Sequence, residues 1–147
     1  FFGACQAAAW GLLDDWRETP EGALALLLLT DQFPRNIYRG LARAFATDPL
    51  AREVARGAIE RGFDALYEVP MKRFFYLPAM HSEDLRDQDF CLEKCRAAND
   101  ADGVKFAEIH RDIIARFGRF PHRNEVLGRA STDAELDYLR TANRFGQ

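Results

Sequence analysis

The chain predicts an all-α domain, and three observations carry that prediction. No stretch alternates apolar and polar residues as a half-buried strand would. No Asn-Gly or Asp-Gly turn joins two β-branched runs into a hairpin. Helix start and stop signals, by contrast, recur along the whole length. At 147 residues, 48% of them hydrophobic and 29% charged, the chain fits one domain with one core. Residues 1–147 are therefore expected to form a single unit of antiparallel helix pairs.

The elements follow in order. A first helix is expected over residues 4–17. Thr19-Pro20-Glu21 then supplies an N-cap, a proline at the first helical position and an acid in the first turn. The helix it starts reaches Phe33, where Pro34 is expected to stop it. A loop holding one helical turn runs to Ala46, and Thr47-Asp48-Pro49 opens the next helix, with Gly62 as its left-handed end. Ala51, Ala55, Ala58 and Gly62 give that helix a small-residue edge for close packing. Pro70 and Pro78 bracket the aromatic piece Phe74-Phe75-Tyr76. Ser82 is expected to cap a helix over residues 83–98, and Asp100 or Asp102 to open the following one, which closes at Gly118. That helix is amphipathic, with Phe106, Ile109, His110, Ile113, Ile114 and Phe117 at helical spacing. Thr132-Asp133-Ala134-Glu135 is a capping box for a last helix that reaches Arg144. Leu24, Leu27, Leu28, Ile109, Ile113 and Phe117 are the expected core.

Composition narrows the function classes. A net charge of −3 leaves no basic footprint for nucleic acid and no polybasic membrane anchor. The longest apolar run, residues 23–29, is too short to cross a bilayer, and no signal peptide is visible. Cys5, Cys91 and Cys95 do not make a disulfide framework. Cys91 and Cys95 lie one helical turn apart but lack a second Cys/His pair, so no metal site is expected and the thiols read as buried and reduced. The chain has no nucleophile elbow, phosphate-binding glycine loop, Cys-x-x-Cys or His-Glu-x-x-His, and so no cofactor is expected. A cytoplasmic location follows from the same features.

Two segments stand out. Asp31-Gln32-Phe33-Pro34-Arg35-Asn36 and Arg119-Phe120-Pro121-His122-Arg123-Asn124 each set Phe-Pro before Arg-Asn after an apolar helical run. Each is followed by a Thr-Asp pair, Thr47-Asp48 and Thr132-Asp133. Duplication and two independent helix stops both account for the echo. Proline fixes the backbone that presents these donor-rich side chains. With Arg39 and Arg43 near the first segment and Arg129 near the second, convergence of the two would make a local anion site in an acidic protein. Bracing of the loops is the other account of the same residues. His81, ahead of Glu83 and Asp84, is either part of a stabilised helix start or one half of a His–carboxylate pair. His110 is either a satisfied core histidine or a pocket group with its pKa lowered by burial.

The run from Leu28 to Gly40, the segment Ala44-Phe45-Ala46-Thr47-Asp48, the motif His81-Ser82-Glu83-Asp84 and the stretch from His110 to Arg129 together resemble the bacterial family Domain of Unknown Function 924. The resemblance extends over nearly the whole chain. It implies a tetratricopeptide-like helical fold and no established activity, although the tetratricopeptide signature itself is not met here. Family members carry a further N-terminal segment rich in Trp and Phe, which is expected to be missing from a chain that opens on Phe1-Phe2. The leading expectation is a binding module whose polar pocket takes a small anionic ligand or an acidic peptide end. Asp31, Arg35, Asn36, Arg39, His81, Glu83, His110, Arg119, His122, Arg123 and Asn124 are its candidate residues. The rival is a small enzyme in which His81 or His110 acts as general base beside Glu83 or Asp31.

Overall fold

Gly11 ends the first helix earlier than its apolar content suggests. In the computed structural model, which describes residues 1–142, α1 spans Phe2–Ala9, and Gly11 then turns the chain with φ +76°. The rest of the expected first helix is a separate 3₁₀ turn, Asp14–Glu18. That turn lies so close to the next helix that a Cβ on Gly22 would sit 2.1 Å from the Trp16 carbonyl oxygen.

α2, Pro20–Leu27, starts as expected: the Thr19 hydroxyl accepts the Gly22 N–H at 3.1 Å, and Pro20 takes the first helical position. Its end differs from expectation. Pro34 does not stop the helix. The chain passes through one wide π turn, Leu28–Gln32, in which the Phe33 N–H reaches the Leu28 carbonyl, and continues as α3, Phe33–Ile37. Pro34 falls in the first turn of α3, where a missing N–H is tolerated. The Thr30 carbonyl, which a regular helix would pair with residue 34, accepts the Thr47 hydroxyl instead at 2.6 Å.

α4, Asp48–Glu60, packs on α2 through the small-residue edge, with Ala51, Ala55 and Ala58 all buried, and Gly62 closes it in the left-handed region. After a short α5, Leu77–Met80, the next helix begins two residues later than expected: α6 is Leu85–Ala97, capped by the Asp84 carboxylate on the Arg86 N–H at 2.8 Å. Ser82 accepts the Asp84 N–H and donates to Asp87, bracing the entry. Asp100 caps α7, Ala101–Phe117, through the Gly103 N–H, and Gly118 ends it. Thr132 and Glu135 form the expected capping box of α8, Asp133–Thr141; the extension to Arg144 lies outside the described residues.

α6 and α7 form the tightest helix pair, and their contact rotates α7 from the predicted face. Gly103, Ala107, His110, Ile113 and Ile114 are the buried residues of α7; Ala107 shares the main core with Cys91 and Cys95, and Gly103 lies against Cys95. Small residues win this seam because they let the backbones approach. Phe106 and Ile109 are pushed to its edge, 44% and 40% exposed, so Ile109 is not core. Ile113 is buried, and Phe117 is half-buried against Tyr138. Leu24 and Leu27 are buried in the main core, while Leu28 is only half-buried. No strand occurs among the described residues. No helix among them is long and apolar enough to cross a membrane.

Candidate functional site

The π turn places Asp31. By widening the helix it buries three successive side chains, Leu29, Thr30 and Asp31, the last only 1% exposed. A carboxylate so placed needs partners, and it has them. His81 donates from Nδ1 to Asp31 Oδ1 at 2.8 Å, Gln32 donates to Oδ2 at 2.6 Å, and the Arg35 guanidinium stands 3.2 Å from Oδ1. Arg35, one turn on, also donates to the Asp31 carbonyl at 2.9 Å and grips Asp48 in a two-bond fork at 2.8 and 2.9 Å. Asp48 therefore does more than begin α4.

Segment 79–82 is clamped from several sides. The fully buried Gln88 amide donates to the carbonyls of Met80 and Ser82 at 2.6 and 2.7 Å. Arg123, from the second Phe-Pro segment, donates to the His81 carbonyl at 2.8 Å. Its guanidinium lies between the rings of Phe45 and Phe120, 4.4 and 4.7 Å from their centroids. The two segments thus meet: Arg35, Phe45, His81, His110, Phe120, His122 and Arg123 together line a cavity of about 50 Å³. By the space one water requires, this holds a few waters or one small oxyanion. A larger, mostly apolar cleft of about 350 Å³ lies over Ala55, Ile59, Phe75 and Phe90, but none of the candidate residues enters it.

Not all the candidates reach the pocket. Asn36 and Arg39 face solvent, with the Arg39 guanidinium 3.4 Å from the Asn36 carbonyl oxygen. Glu83 is not a partner of His81. It takes a two-bond fork from Arg129 at 2.8 and 3.1 Å and the Phe120 N–H at 2.6 Å. Asn124 accepts from Arg129 and donates to Ser131 and Glu135, while Arg119 forks onto Glu135. These last three brace the second segment from behind. Four residues that matter to the site escaped the sequence reading: Asp48, Phe45, Phe120 and Gln88. Asp48, Phe45 and Phe120 sat in motifs the sequence marks, but nothing there showed what they would touch; Gln88 carried no signal.

Electrostatics follow from burial and these pairings. Burial works against the Asp31 charge, yet His81 and Arg35 hold its carboxyl below the usual carboxylate range. Burial pushes the His81 ring below its usual value despite Asp31. Burial, with the nearby His81 and two arginines, brings His110 down to about 4. Burial and Arg35 bring Arg123 down to about 10. Both imidazoles are neutral at pH 7. His110 donates from Nδ1 to the Phe106 carbonyl at 2.7 Å, which, like the His81–Asp31 bond, assigns the proton to Nδ1. Among the described residues no three His, Cys, Asp or Glu side chains gather as metal ligands.

Fold and site define an all-α domain with a small, half-closed pocket of arginine and neutral imidazole. The chain belongs to the family described as bacterial protein of unknown function (DUF924), whose pattern matches residues 1–143. It is similar to a solved structure, a protein of unknown function, ATU0120, from Agrobacterium tumefaciens. The two share 47% identity and a TM-score of 0.93, over 97% of this chain and 80% of that one. No curated protein matches.

Proposed function

We propose that the chain is a binding module whose Arg/His pocket holds a small anionic group, from a free ion, a metabolite or an acidic peptide end. One observation carries this reading. Arg123 is only 7% exposed, its Nε has no hydrogen-bond partner among the described residues, and the nearest carboxylate, Asp48, stands at 3.9 Å from Nη1. Arg35 has its carboxylates; Arg123 has a carbonyl and two aromatic faces. A guanidinium buried with so little compensation is costly, and an entering anion offsets that cost. Thermal melts of wild type and Arg123→Lys against phosphorylated and carboxylated compounds test the reading. Stabilisation of the wild type that the variant loses supports it by linkage. A wild type indifferent to every anion removes it.

A second reading rests on the His81–Asp31 bond. A buried carboxylate that fixes one imidazole nitrogen makes the other a general base, and an enzyme acting on an anionic substrate would use that pair. In either reading the α6–α7 hairpin and its neighbours serve as a rigid, tetratricopeptide-like frame.

A further inference from the structure

Resting on the anion-site reading, we propose that the pocket selects an oxyanion that still carries a proton, a phosphate monoanion or monoester, over sulfate and carboxylates. The argument begins with His81. A carboxylate oxygen only accepts, so the 2.8 Å contact with Asp31 places the His81 proton on Nδ1 and leaves Nε2 an acceptor. His110 is polarised the same way by the Phe106 carbonyl. His81 and Arg123 line the same small cavity, which therefore holds an imidazole acceptor and guanidinium donors together. An oxyanion without a proton brings lone pairs to both and loses against the imidazole. A protonated one gives its O–H to His81 and its charged oxygens to Arg123.

Charge points the same way. Arg35 is matched by Asp31 and Asp48, behind Phe120 the Glu83–Arg129 pair cancels itself, and Arg123 has Asp48 no nearer than 3.9 Å. His110 and His122 are the other titratable groups on the wall. With one poorly compensated guanidinium on the wall, a monoanion matches the available charge and a dianion exceeds it. The small cavity admits one phosphate-sized group, so any ester substituent must extend outside it.

Calorimetric titration of the full chain tests this with inorganic phosphate, methyl phosphate, dimethyl phosphate, sulfate and acetate, at about pH 6 and about pH 8.5. Phosphate and methyl phosphate are expected to bind at least about tenfold tighter than sulfate or acetate at the lower pH. They should weaken at least about tenfold at the higher one, because each loses a proton and becomes a dianion: methyl phosphate then has no O–H to give, and inorganic phosphate keeps one but carries a second charge. Dimethyl phosphate, a monoanion with no proton, should bind as weakly as sulfate. His81→Asn keeps a donor for Asp31 and deletes the ring acceptor, and should abolish the preference. Methyl phosphate failing where phosphate binds would assign the site to the free ion; comparable binding of both would assign it to the monoester class as well, and either supports proton selection. Equal binding of phosphate and sulfate, or tight binding of dimethyl phosphate, overturns the inference and leaves an unselective anion site. No binding by any of them overturns the anion-site reading itself.

Discussion

His110 shows how one side chain converts position into behaviour. It sits on the packed face of α7, its Nδ1–H given to the Phe106 carbonyl and its ring 5.6 Å from that of Phe120. Its pKa in the folded chain is about 4, against an ordinary value of about 6.5 in an unfolded one. Between those values the unfolded chain binds a proton that the folded chain refuses. Stability is therefore expected to fall as pH drops from about 6.5 to about 4, by on the order of 3 kcal/mol for this group. His81, also lowered by burial, adds to the same slope. Asp31 works in a separate window. Its carboxyl lies below the ordinary range, so its contribution is present above about pH 4 and is lost only below it. Urea titrations across pH check the assignment: His110→Leu should flatten the slope above pH 4 in part, and an unchanged slope would show that His110 is not its source.

Among the elements, the two Thr-Asp pairs separate a motif from its use. Thr132 caps α8 with a reciprocal bond to Glu135. Thr47 precedes α4 in the same way but makes no cap; its hydroxyl serves the Thr30 carbonyl inside the π turn. The identical dipeptide takes a different partner because Pro34 has left an acceptor unpaired within reach. Thr47→Val keeps the shape and removes the donor, and should cost about 1–3 kcal/mol, the penalty of an unsatisfied buried carbonyl. Thr47→Ser should cost far less. If denaturant unfolding shows the two variants equal, the hydroxyl bond contributes nothing. The echo between the Phe-Pro segments fails at this scale as well: the first is helical throughout, while the second is a 3₁₀ turn, Pro121–Arg123, held by outside braces.

Across the whole molecule, the site depends on joining two cores. The main core gathers α1 to α6 and part of α7; a smaller one holds Ile113, Ile114 and Phe120. Glu83 ties them, because it follows the His81 segment and accepts both the Arg129 fork and the Phe120 N–H. Burial opposes its charge, but those donors hold its carboxyl below the usual range. Glu83→Gln is expected to loosen the second segment before the first. Hydrogen exchange reads this directly: the Phe120 amide should lose protection in the variant while amides of α2 keep theirs. Equal loss in both places would mean that the tie is global rather than local.

Much of the fold was legible in the sequence because it is written in local chemistry. Thr19-Pro20, Gly62, Asp100, Gly118 and the Thr132 capping box act within one turn of themselves, and each does as its residue type predicts. The small-residue edge of α4 was readable for the same reason. The sequence also marked Asp31, Arg35, His81, His110, His122 and Arg123 as unusual. Only the tertiary structure decided that the last five of these line one pocket with Asp31 bonded to His81 and Arg35, and that Asn36, Arg39, Glu83, Arg119 and Asn124 do not line it. It alone decided which way α7 turns, burying Gly103 and Ala107 and leaving Phe106 and Ile109 exposed. Periodicity names a stripe, but the partner surface selects the residues that fit, and that surface is built from positions far away in the chain.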